Sequence, residues 1–157
     1  MDDRFLRAAL DEAISGYQEI NAHHQRGIPI GSVLVIDGEM VGRGHNRRVQ
    51  EDSPILHAEI DCLRNAGRLK AVDYKRSILY TTLSPCPLCS GAVLLYGIPK
   101  VVIGENDTFR GAEDHLREMG VVLDIRGDNA CRQILQKFIA EFPEIWFEDI
   151  GRPWEGK

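Results

Sequence analysis

No stretch of the chain approaches the run of about twenty apolar residues that a membrane-spanning helix requires, so no membrane passage is expected. The opening "MDDRFLRAAL" carries two acids and no long apolar core, and reads as neither a secretory signal nor a transit peptide; the expected compartment is the cytoplasm. Low-complexity runs, internal repeats and linkers are also missing. With 157 residues, 43% hydrophobic and 27% charged, the chain reads as one domain over 1–157. That length buries roughly two thirds of the unfolded surface without staples. There is no excess of positive charge: 19 Lys and Arg stand against 24 Asp and Glu, for a net charge of -5, with the basic residues scattered among acids. This argues against phosphate-dominated binding of long nucleic acids, which needs a concentrated basic face. Cysteine is sparse at four residues. In a reducing compartment, a Cys-x-x-Cys pair points to metal or redox chemistry before a structural bridge.

What is present alternates between the helix and strand periods. Phe5, Leu6, Ala9, Ala13, Ile14, Tyr17 and Ile20 recur at helical spacing, which predicts an amphipathic helix from about Asp2 to Asn21. "IGSVLVI" and "EMVGRGH" flank the turn signal Asp37-Gly38 and read as a β-hairpin. "ILHAEIDCLRNAG" is a second helix, with Glu59 and Asp61 suiting its positive N-terminal end and Gly67 as its C-terminal stop. "SILYTTL" is a third strand, running into "SPCPLCSGAVLLYG", where Pro87 fits the first position of a helix. That helix is apolar almost all round through Ala92–Tyr96, and is expected to be buried in the core or against another subunit. "KVVIGE" and "VVLDI" are two more strands, separated by the helix "GAEDHLREMG" and followed by "NACRQILQKFIAEF" and a short final helix at "PEIWFEDIG". The order predicts a single α/β domain on a mixed five-stranded sheet.

Four residues carry the chemistry. His57 and Glu59 form His-x-Glu at one helix start, and Cys86 and Cys89 form Pro-Cys-x-x-Cys at another. One imidazole and two thiolates fill three positions of a tetrahedral zinc and leave the fourth open, the arrangement of a catalytic metal and not of a closed structural one. Two thiolates offset the charge of Zn²⁺, so its water is acidified less than by three histidines and a nearby base is useful. Glu59, two residues from His57, suits that base, returning the proton as an acid, and is not expected to ligate. The pieces mean little alone; in this order they match the zinc-deaminase signature. Cys62 and Cys131 read as small buried apolar residues, His23, His24 and His115 as capping or exposed, and the glycines of "GRGHN" as a strand end.

The segments "GIPIGSVL", "GRGHNRR", "LHAEIDCLRNAGRL", "LYTTLSPCPLCSGAVLLYGIPKVVIGEN" and "WFEDIG" together resemble the cytidine deaminase-like superfamily and, within it, the fungal-type cytosine deaminases that act on the free base. The resemblance implies a three-layer α/β/α fold, zinc held by His57, Cys86 and Cys89, and proton transfer by Glu59. It further implies that Asn46 and the Ala58 amide address the N1 and O2 edge of a pyrimidine, although the fungal enzymes carry Gly at the position of Ala58. Asp149 and the Ser84 carbonyl would accept from the exocyclic amine, Phe109, Trp146 and Phe147 would form apolar walls, and helix 143–151 would close the site. A homodimer is implied as well. The expected reaction is water attack at C4 of cytosine, giving uracil and ammonia. The rival readings are a deaminase of guanine, isocytosine or a related base, a tRNA adenosine deaminase, and a zinc-stabilised protein without activity; Glu59 counts against the last, which has no use for a carboxylate beside an open metal position.

Overall fold

In the computed structural model, which describes residues 3–156, five strands form one sheet. They are β1 (Gly31–Ile36), β2 (Glu39–His45), β3 (Ser77–Leu83), β4 (Lys100–Glu105) and β5 (Val122–Ile125), in the order β2-β1-β3-β4-β5. The hairpin pairs β1 with β2 antiparallel, and β1 also meets β3 antiparallel, while β3–β4 and β4–β5 run parallel. The sheet is therefore mixed, as the hairpin in an otherwise alternating pattern requires.

The helices are α1 (Arg4–Gln18), α2 (Ala58–Ala66), α3 (Ala71–Tyr74), α4 (Pro87–Tyr96), α5 (Glu113–Glu118), α6 (Asn129–Glu141) and α7 (Pro143–Asp149). They cover both faces of the sheet. On one, Phe5, Leu6 and Ala9 of α1 and Cys131 of α6 pack on Val33, Val35, Tyr80 and Val102. On the other, Cys62 of α2, Val93 of α4 and Leu116 of α5 pack on Leu34, Leu79, Val101 and Ile103. With both faces covered, β1 is buried at every position, which explains its apolar run over 33–36, and the buried Ser32 hydroxyl donates to the Tyr80 carbonyl at 2.7 Å. A third cluster, built from Ile28, Leu83, Leu135, Phe138, Ile145 and Trp146, fastens α6 and α7 to one end of the sheet.

Several boundaries differ from the sequence reading. Helix α1 stops at Gln18, because Glu19 turns extended (φ -76°, ψ 131°) and Ile20 pairs with Arg26 in an isolated bridge; its expected start at Asp2 lies outside the described residues. The four-residue α3 was not anticipated. The α4 stretch is not buried all round: Val93 is inside, whereas Leu88, Leu95 and Tyr96 are exposed, Leu95 by 75%. Gly44 does not end its strand. A Cβ there would meet the Cys62 nitrogen at 2.6 Å, so glycine lets α2 lie directly on β2.

Candidate active site and metal centre

Two helix starts meet beyond the end of β3. His57 is the N-cap of α2 and Cys86 that of α4, both in extended backbone, and Pro87 sets the first turn of α4. Cys89, one turn into α4, is buried. The ligand atoms of His57, Cys86 and Cys89 lie within 4.8 Å of one another, and Cys86 Sγ is 3.4 Å from His57 Nδ1. Ligands on a tetrahedral zinc stand about 3.5–3.8 Å apart, so these three fit the ion with little movement and in the expected donor set. His57 Nδ1 is the metal-facing nitrogen. Its Nε2 lies 3.5 Å from Asp149 Oδ1, the carboxylate–histidine–metal arrangement that orients a ligating imidazole.

Charges in this cluster are strongly coupled. The Cys89 thiol beside it, helped by His57, brings the Cys86 thiol down to about 4, although burial opposes this. Cys89, its proton shared with Cys86 and its surroundings dry, is raised well above the ordinary thiol range. Burial pushes His57 down, but the Cys86 thiolate and the Asp149 carboxylate outweigh it and lift the imidazole to about 9. Such a cluster gives up protons when it takes up a metal.

Glu59 sits in the first turn of α2, 4% exposed, with Oε1 accepting from Thr81 Oγ1 at 2.8 Å. Burial first, and the charge on Cys86 second, raise its carboxyl above the ordinary range.

A cavity of about 20 Å³ opens onto these groups, room for roughly one water. Ile30, Leu83, Phe109 and Ile150 give it apolar walls; Asn46, Ala58, Glu59, Ser84, His57, Cys86 and Asp149 complete it. Asn46 and Asp149 are 103 positions apart in sequence, yet Asn46 Nδ2 donates to Asp149 Oδ1 at 2.8 Å, and Asn46 Oδ1 accepts from the Arg48 amide at 3.0 Å. Burial raises the Asp149 carboxyl, while His57 and Asn46 restrain the rise.

Of the residues named from sequence, nine converge on this centre. Trp146 and Phe147 do not line the cavity. Trp146 is buried behind Phe109, edge-on at 6.3 Å between ring centroids, and Phe147 turns toward Pro153 and Trp154 of the C-terminal tail. The reason is helical: Asp149 faces inward, which swings Phe147, two residues earlier, about 200° away. Ile150 takes the wall position instead. Sequence reasoning also missed Ile30, Leu83, Thr81 and the buried pair Glu105 and Glu113. Glu105 Oε2 accepts from the Asp107 and Thr108 amides, and Glu113 Oε1 accepts from Ser84 Oγ at 2.8 Å, so both ends of the loop bearing Phe109 are tied down.

Similar proteins are known. A cytosine deaminase of Candida albicans is 48% identical over 96% of this chain and 97% of its own length. A tRNA-specific adenosine deaminase of Streptococcus pyogenes is 40% identical over 69% of this chain and 66% of its own. A structure from a study of A-to-I editing by tRNA:A34 deaminases superposes with a TM-score of 0.66 at 28% identity, over 85% of this chain and all of that one. Residues 1–105, which hold His57, Glu59, Cys86 and Cys89, match the cytidine and deoxycytidylate deaminase zinc-binding region, and the chain belongs to that family.

Proposed function

We propose that the protein is a zinc-dependent hydrolase that converts free cytosine to uracil and ammonia. The observation that carries this reading is the meeting of Glu59 with the His57, Cys86, Cys89 ligand set in a small cavity edged by Asn46 and Asp149. The near full-length likeness to a cytosine deaminase supports the substrate. When bound, zinc supplies Lewis acidity that makes water nucleophilic near neutral pH.

The chain's residues do the rest. Glu59 takes a proton from the attacking water and delivers it to N3 as the oxygen bonds to C4. It then carries the second proton of that oxygen to the amine, the C4–N bond breaks, and ammonia leaves with uracil behind. A carboxyl raised by burial is suited to accepting and returning protons in this way. Asn46 and the Ala58 amide address the N1 and O2 edge, while Asp149 and the Ser84 carbonyl accept from the amine. To do so, Asn46 and Asp149 exchange their mutual hydrogen bond for bonds to the base. Phe109 and Ile150 flank the ring, Trp146 braces Phe109, and helix 143–151 closes the single domain over the site.

Asp149 and Ile150 bring the C-terminal segment to the edge of the cavity, which supports a free base over a nucleoside or a tRNA loop. The acidic balance points the same way. No helix among the described residues is long and apolar enough to cross a membrane, and we assign the enzyme to cytoplasmic pyrimidine salvage. The exposed apolar face of Leu88, Leu95 and Tyr96 supports a homodimer.

The test is ammonia release from zinc-loaded protein with cytosine, cytidine, adenine, guanine and isocytosine in parallel, and Glu59→Gln as the blank. Turnover of cytosine but not cytidine is expected. Turnover of guanine or adenine in its place would discard the substrate, and full activity in Glu59→Gln would discard the mechanism.

A further inference from the structure

Side chains along β3 alternate across the sheet. Tyr80 joins the cluster under α1, Leu79 the cluster under α2 and α4, and Thr81, two residues on, faces α2 as well. There Thr81 Oγ1 lies 2.8 Å from Glu59 Oε1, with Thr81 fully buried. A hydroxyl has one proton to give. The second acceptor in reach, the Leu83 carbonyl oxygen, is 3.2 Å away and neutral, so the proton goes to the carboxylate. Thr81 is not among the residues lining the cavity and meets no substrate.

We propose that Thr81 is a positioning residue for the deamination: by holding Oε1 of Glu59 it fixes the rotation of the carboxylate and leaves the other oxygen as the carrier of the transferred proton. The inference rests on the reading of Glu59 as the proton shuttle. The terminal torsion of a glutamate is broad and nearly two-fold, so an untethered carboxylate turns freely between orientations. Proton transfer requires one oxygen within hydrogen-bond reach of the reacting atoms at each of two successive steps. A donor behind the carboxylate, outside the cavity, satisfies that need without occupying space the base requires. The same bond ties the first turn of α2 to β3, so the shuttle is referenced to the sheet and not to its own helix alone.

Three substitutions separate this role from packing. Thr81→Val keeps the shape and removes the donor; Thr81→Ser and Thr81→Ala both lose the methyl and differ by one oxygen. Steady-state kinetics on cytosine, zinc content and melting temperature are measured for each. In Thr81→Val, kcat falls about ten- to hundredfold, part of the about 10²–10⁴ that a positioned acid–base group supplies, with KM and zinc content held. Thr81→Ser stays close to the wild type while Thr81→Ala follows Thr81→Val, and this pair decides the matter if Thr81→Val folds poorly. An unchanged kcat in Thr81→Val, equal losses in Thr81→Ser and Thr81→Ala, or a loss that tracks missing zinc would overturn the inference. A wild type inactive on every base tested overturns the reading of the site itself, a failure distinct from an active wild type indifferent to Thr81.

Discussion

Replacing Gly111 with alanine tests how the loop bearing Phe109 is coupled to the metal ligands. A Cβ at 111 would stand 1.9 Å from the Pro85 carbonyl oxygen, 2.5 Å from its carbon and 3.2 Å from the Cys86 nitrogen. These are backbone atoms and cannot rotate away, so loop and ligand segment must part by more than 1 Å on ordinary contact radii. Parting strains two bonds, Gly111 N to Ser84 Oγ at 2.9 Å and Ala112 N to Pro85 O at 3.1 Å, worth about 0.5–1.5 kcal/mol each. Overpacking costs about 1–3 kcal/mol. With partial relief of one by the other, the loss is about 2–4 kcal/mol, which for a chain of this size lowers the melting temperature by about 5–15 °C. Because the displaced segment ends in Cys86, zinc affinity falls too, by about tenfold, as for other changes just behind a ligand. Calorimetry of zinc-loaded and chelated protein reads the first effect, and competition with a chromophoric chelator the second. A Gly111→Ala protein melting within about 2 °C of wild type, with unaltered zinc affinity, would refute the coupling.

Other perturbations probe the remaining contacts. Asp149→Ala leaves the Asn46 amide buried without its acceptor, which costs about 1–3 kcal/mol of stability, and removes the acceptor for the amine, lowering kcat/KM for cytosine about ten- to hundredfold; scanning calorimetry and initial rates check both. Leu95→Glu places a charge on the most exposed of the large apolar side chains of α4; the proposed homodimer predicts dimers for the wild type and monomers for the variant in sedimentation velocity, and a wild type that sediments as a monomer would refute it. The Glu12 carboxyl is held below its ordinary 4.5, first by the His45 imidazole 3.7 Å away, against the effect of burial and with help from Arg43 and Arg47. A depressed folded-state value gives stability that is complete above the ordinary value and lost as pH falls through the folded one. The melting temperature of Glu12→Gln should therefore decline less than that of wild type from pH 6 to pH 3.5.

The metal centre was legible because its signal is local. His57 and Cys86 announce themselves as helix starts, Pro87 marks the first turn of α4, and two short motifs suffice to name the ligands and the base. Asn46 and Asp149 could be named only through resemblance, since no local pattern joins residues 103 apart. The errors have physical causes. Ile20 continued the periodicity of α1, but the bridge to Arg26 drew the chain into extended backbone. The α4 segment is hydrophobic on all sides, and the sheet covers only the side holding Val93, so of the two coverings expected for it the core supplies one side alone. Trp146 and Phe147 are adjacent aromatics that fail to line the cavity for different reasons: Phe147 is turned about 200° from Asp149 around α7, whereas Trp146, three residues from Asp149 and on its side of the helix, is screened by Phe109. The carboxylates that secure the Phe109 loop, Glu105 and Glu113, look in sequence like any solvated acids and are recognisable only by what folds around them.

The contact between Asn46 and Asp149 joins two stretches of unequal character. The residues that would hold zinc and move protons lie between residues 57 and 89, inside the region shared across the family, whereas the carboxylate that accepts from Asn46 comes from the last helix, well beyond it. The two stretches meet at one residue: Asp149 bonds Asn46 and also stands 3.5 Å from Nε2 of the ligand His57. A change in the terminal segment that reshapes the pocket is therefore felt by the imidazole that would hold the metal, so the ending and the catalytic centre must change together.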